Sequence, residues 1–120
     1  MTLEVRPDQV DPCVRFWALL GFEWMLAPPL LRDRFTWVAR EGTQIHLVPV
    51  DPPIVPDQGH VAVLPEDYEA ALAALRDAGY ELTAGSNAWN APRTFVHCPA
   101  GHRVEVMSAP PYPPWPGEDE

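Results

Sequence analysis

The chain has 120 residues, 47% of them hydrophobic, with a net charge of −9 and two cysteines; that is one domain by length, with enough apolar content for an ordinary core. The acidic balance argues against a nucleic-acid partner, because phosphate binding needs a basic surface, and it favours a cationic small molecule or a metal ion. The cysteines make no disulfide framework, no apolar run approaches the ~20 residues of a membrane span, and the N-terminus lacks a basic and apolar leader, so a cytoplasmic protein away from any membrane is expected.

Thr2 to Arg6 reads as a short strand ended by Pro7. Asp11 suits an N-cap and Pro12 the first helical position. Val10, Val14, Trp17 and Leu20 then recur at helical spacing, Cys13 and Phe16 widen the stripe, and Gly21 is the stop. Phe22 to Ala27 is the next strand, closed by Pro28 and Pro29. Arg34 to Arg40 and Thr43 to Pro49 form a hairpin about Glu41 and Gly42.

A proline-rich stretch from Val50 to Gln58 crosses to a second half. His60 to Leu64 is a strand, and Glu66 and Asp67 give a negative first turn to a helix running to about Ala78. Tyr68, Ala71, Leu72 and Leu75 form its buried stripe and Gly79 stops it. Tyr80 to Thr83, Arg93 to Cys98 and His102 to Ser108 are the last strands, the final two joined about Pro99, Ala100 and Gly101. The halves repeat one order at a period of roughly sixty residues. The predicted fold is α+β, two β-α-β-β-β modules at about 1–50 and 58–108, with mostly antiparallel sheets enclosing a cavity. They form a single domain over 1–108, and 109–120 is a proline-rich acidic tail. Tyr112 and Trp115 in that tail, with an open concave sheet surface, point to a homodimer.

Strand parity assigns the faces. Ile45 and Leu47, Val61 and Val63, and Val104 and Val106 are the sets that cover helices. His46, His60 and Glu105 then share the opposite surfaces. Two imidazoles and a carboxylate suit a divalent ion such as Fe, Mn, Ni or Zn, with open positions for substrate or water. Gln44 and Arg103 flank these residues and could orient an anionic substrate; Trp24, Trp37 and Trp89 are candidates for lining the cavity.

The chain resembles the vicinal oxygen chelate superfamily of glyoxalases, bleomycin-resistance proteins and extradiol dioxygenases. Four stretches carry the likeness: Arg15 to Phe22, Gln44 to Leu47, Gly59 to Val63 before an alanine-rich helix, and Arg93 to Val106. The resemblance implies ligands on the first, fourth, fifth and eighth strands. His46, His60 and Glu105 match the last three, and the first falls at or just before Thr2. The aspartate usual in the Asp-Pro-x-Gly turn is replaced by Cys98. The expected function is a metal-dependent enzyme acting on a small oxygen-chelating substrate, a lyase, isomerase or dioxygenase, with Glu4 or a metal-bound water as base. The alternative is a metal-free, drug-binding protein of bleomycin-resistance type, favoured by the acidic charge and the tryptophans. A third reading is a regulatory module with a vestigial cavity.

Overall fold

The computed structural model describes residues 1–86, 88 and 90–117. Ten elements follow one another: β1 (Thr2–Val5), α1 (Val10–Leu19), β2 (Glu23–Met25), β3 (Thr36–Arg40), β4 (Thr43–Pro49), β5 (His60–Val63), α2 (Tyr68–Asp77), β6 (Thr83–Ala84), β7 (Arg93–His97) and β8 (Arg103–Met107). This is the α+β order read from the sequence, β-α-β-β-β given twice. The strands form two separate four-stranded sheets, ordered β1-β4-β3-β2 and β5-β8-β7-β6. In each, the first strand lies parallel to the last and the other two pairings are antiparallel. The parallel pairs follow from the helical crossovers, since a tight hairpin joins only antiparallel neighbours.

Local chemistry sets the element ends. Glu41 (φ 48°) and Gly42 (φ 83°) both take the left-handed conformation, which matches the twist of the β3–β4 hairpin. Asp67 caps α2, its Oδ1 accepting the Ala70 N–H at 3.0 Å. The start of α1 differs from the sequence reading. A 3₁₀ turn over Pro7–Gln9 leads into it, and Arg6 N–H donates to Gln9 Oε1 at 2.9 Å. Asp11 therefore sits in the first turn rather than at the cap, and Pro12 is tolerated there because the first-turn N–H groups have no helical acceptor. The strand expected at Tyr80 shrinks to Thr83–Ala84. The Tyr80 N–H is taken by Leu75 O at the end of α2, at 3.0 Å, and its ring packs edge-on against Phe16 at 5.1 Å.

One core joins both halves. Val38, Ile45 and Leu47 from the first sheet and Val96, Val104 and Val106 from the second are buried together with Cys13, Phe16 and Trp17 of α1 and Leu72 and Leu75 of α2. Val61 and Val63 pack against the same cluster. The parity argument thus holds for the helix-covered side. The alternate side chains of β4, β5, β7 and β8 are left on the other surface, where the candidate site lies.

Candidate functional site

On the second sheet the register sets Ala62 beside Glu105, and Phe95 opposite Glu105 from the other flank. Glu105 is 4% exposed, and both of its oxygens are engaged. His60 Nε2 approaches Oε1 at 2.9 Å, and Arg93 Nη1 donates to Oε2 at 3.1 Å. His60 Nδ1 faces Gln58 O at 2.9 Å. Both atoms facing the ring are thus acceptors, which the imidazolium satisfies with two N–H groups and the neutral ring with one. Arg103 lays its guanidinium over the Phe95 ring, Cζ 3.8 Å from the centroid. Arg93 reaches the same ring at 5.2 Å and His60 meets it edge-on at 5.8 Å.

On the first sheet His46 lies opposite Trp37 and is stacked on it, with centroids 3.8 Å apart and planes 2° apart. Its Nε2 lies 3.0 Å from Gln44 Oε1. Burial, with a contribution from the Met1 α-ammonium, pushes the His46 imidazole below its ordinary value of 6.5. The Trp37 indole N–H is buried without a hydrogen-bond partner among the described residues.

β1 and β5 are edge strands of their sheets, and two cavities lie along the seam where residues of the first half meet β5. One, of about 350 Å³, is lined by Glu4, Ile54, Pro56, His60, His102 and Arg103 among others. The other, of about 280 Å³, is lined by Gln44, Ile45, His60 and Ala62 among others. His60 borders both, with Gln44 on one side and Arg103 on the other. Glu4 reaches the larger cavity, but its Oε1 accepts the Ile54 N–H at 2.9 Å and pins the proline-rich crossing.

Other sequence-predicted residues lie elsewhere. Trp24 stands opposite Val38, which places it on the helix-side face, away from His46; it is 58% exposed at the sheet edge. Trp89 lies outside the described residues. Two residues that the parity argument passed over, Arg93 and Phe95, join the site. The signal was present: in β7 they alternate with Thr94 and Val96, and Val96 is core.

A divalent ion needs its ligands to converge at about 2.0–2.2 Å. Among the described residues no three His, Cys, Asp or Glu side chains gather to hold one. His60 and Glu105 come together, but His46 is engaged by Gln44 and Trp37 on the other sheet. Arg93 already supplies Glu105 with the positive charge that an ion would bring. The arrangement within one chain therefore does not fit the expected three-ligand centre. The local field also differs from the whole: His60, Arg93 and Arg103 surround one buried carboxylate in a chain of net charge −9. Acidic side chains gather instead at a separate groove of about 460 Å³, where Glu23, Glu41, Glu66 and Asp67 surround Arg40. The seam is suited to an anionic ligand rather than the cationic one that overall charge favours.

No family model matches the chain, and no curated protein does. Solved structures do. A glyoxalase family protein from Bacillus anthracis superposes with a TM-score of 0.79 at 19% identity, over 88% of each chain. A glyoxalase/bleomycin resistance protein from a Streptomyces species gives 0.65 at 19%, over 88% of this chain and 96% of that one. A lactoylglutathione lyase from Agrobacterium tumefaciens gives 0.62 at 17%, over 89% and 90%. The chain has the vicinal oxygen chelate fold that its sequence resembles. Among the described residues no helix is long and apolar enough to cross a membrane.

Proposed function

We propose that this protein is a small-molecule-binding member of its fold that takes a planar organic ligand with an acidic oxygen, without a metal ion. The observation that carries the reading is the seam itself. His60 and Arg103 line one cavity, Arg103 is held flat by Phe95, and the buried Glu105 carboxylate nearby is ion-paired to Arg93 and hydrogen-bonded to His60. Arg103 would meet the ligand's oxygen anion as a charge-assisted donor. Gln44 flanks His60 on the other side. Similar solved structures carry both resistance-protein and lyase names, and this chain's donor arrangement supports a binding role without a metal ion.

The test uses salicylate as a planar aromatic acid and bleomycin as a cationic comparison, followed by tryptophan fluorescence and calorimetry. Salicylate is expected to bind saturably, and Arg103→Met to weaken it by roughly tenfold or more. Equal affinity in that variant, or tight binding of bleomycin alone, overturns the reading.

One observation favours the metal-dependent alternative. The 2.9 Å between His60 Nε2 and Glu105 Oε1 is close to the ~3.0 Å separating adjacent ligands of an octahedral ion with bonds of ~2.1 Å. Stoichiometric Fe, Mn, Ni or Zn in tag-free protein, lost in His60→Ala, would establish that alternative.

A further inference from the structure

The larger seam cavity, of about 350 Å³, has a polar lining made by Thr2, Glu4, His60, His102 and Arg103. Two of these do not discriminate between ligands. His60 has one nitrogen on Glu105 and the other facing Gln58 O. The Thr2 hydroxyl can give or take a hydrogen bond. The other three decide what the cavity recognises. Arg103 supplies a cation, held over the Phe95 ring and without an ion pair among the described residues.

His102 is oriented by the first strand. Its Nε2 lies 2.7 Å from Glu4 O, a contact between the two halves of the chain. A carbonyl oxygen only accepts, so Nε2 carries a proton, and Nδ1 of the neutral ring is left as an acceptor. Among the described residues nothing donates to Nδ1. Nor is it sealed off: the buried side-chain polar atoms without a partner are the indole nitrogens of Trp17 and Trp37. His102 is 5% exposed and lines the cavity, so its unpaired nitrogen opens on that space.

Glu4 brings a second acceptor. Its backbone oxygen holds His102, and its Oε1 accepts the Ile54 N–H at 2.9 Å. Oε2 has no partner among the described residues. The apolar part of the wall comes from Leu3, Ile54, Pro56 and Val61. A ligand that covered Glu4 Oε2 and His102 Nδ1 without donating to either would strip both of water and leave them unpaired.

We propose that the seam's ligand is an aromatic acid that also carries a hydrogen-bond-donating group such as a hydroxyl. Arg103 takes the acid, Glu4 and His102 take the donor, and the ring lies along the apolar wall. This rests on the anionic-ligand reading given above and narrows it.

The experiment measures calorimetric affinities of the full-length protein at pH 7 for benzoate, the three hydroxybenzoates and their three methyl ethers. The ethers keep the oxygen but cannot donate. At least one hydroxybenzoate is expected to bind roughly tenfold or more tighter than both benzoate and its own ether. Glu4→Gln, whose Oε1 can still accept the Ile54 N–H, is expected to shrink that ratio below about threefold. Nitrogen-15 NMR of the wild type, with the His102 signals identified by their loss in His102→Gln, is expected to show Nδ1 moving with the favoured hydroxybenzoate and not with its ether. Equal affinity for hydroxybenzoates, ethers and benzoate, all weakened by Arg103→Met, overturns this inference and leaves the anionic-ligand reading standing. Binding of none of the acids overturns both. A hydroxyl preference that persists in Glu4→Gln, with Nδ1 unmoved, overturns the roles given to Glu4 and His102.

Discussion

Arg93 Nη1 lies 3.1 Å from Glu105 Oε2, an ion pair between neighbouring strands with side chains 13% and 5% exposed. Removing one member of such a pair leaves a desolvated charge behind, which costs more than the pair itself contributes. Arg93→Met is expected to lose roughly 2–4 kcal/mol in urea unfolding, less than an isolated buried charge would, because His60 still holds the other oxygen. The double variant Arg93→Met/Glu105→Met is expected to regain more than half of that loss. Additive losses in the double variant would show that the two residues act independently.

His46 gives the fold a pH dependence of definite sign. Its imidazole is held below 6.5 in the folded chain, while the unfolded chain protonates it normally. The unfolded state therefore binds more protons as pH falls from about 7 through the folded pKa, and stability declines over that window. His46→Gln is expected to flatten this part of the stability profile. Urea midpoints measured from pH 7.5 to 5 check it; an unchanged slope contradicts it.

Asp67 caps α2 with one hydrogen bond to the Ala70 N–H. Asp67→Ala is expected to cost about 1 kcal/mol, and Asp67→Ser much less, because the serine oxygen also caps. Thermal unfolding of the three proteins side by side provides the comparison.

A homodimer is expected in solution. Trp24 at 58%, Leu30 at 97% and Ile54 at 73% exposure are apolar side chains left in water by the single chain. Light scattering at micromolar concentration should give twice the chain mass, and Trp24→Asp should lower it. The mass of one chain for the wild type would rule the dimer out.

The fold was legible because two periodicities carry it. Helical spacing marked α1 and α2, and the alternation of Ile45 and Leu47 with His46 marked the buried face of β4. The glycines at the helix ends and the Glu41-Gly42 turn marked the boundaries. Tyr80 was misread because an aromatic after a helix-stopping glycine looks like a strand opening, whereas its N–H closes α2. The site was legible only in part. Parity gave the shared surface of His60 and Glu105, but parity carries no information on how strands of different sheets stand to each other. It therefore grouped His46 with them. Arg93 was missed because arginine at the start of a strand reads as a solvated end; its pairing with Glu105 depends on the β7–β8 register.

The shared core bears on whether the repeat is still two units. Phe16 belongs to the first half and Tyr80 to the second, and their rings meet within one buried cluster that both helices build. Either half expressed alone would present a wet helix stripe where its sibling belongs. Single-step, all-or-none melting is the expected behaviour, not two successive transitions. A chain nicked between residues 50 and 58 should stay associated and fold as a noncovalent pair. The duplication survives in the topology, while autonomy of the halves has been exchanged for joint cooperativity.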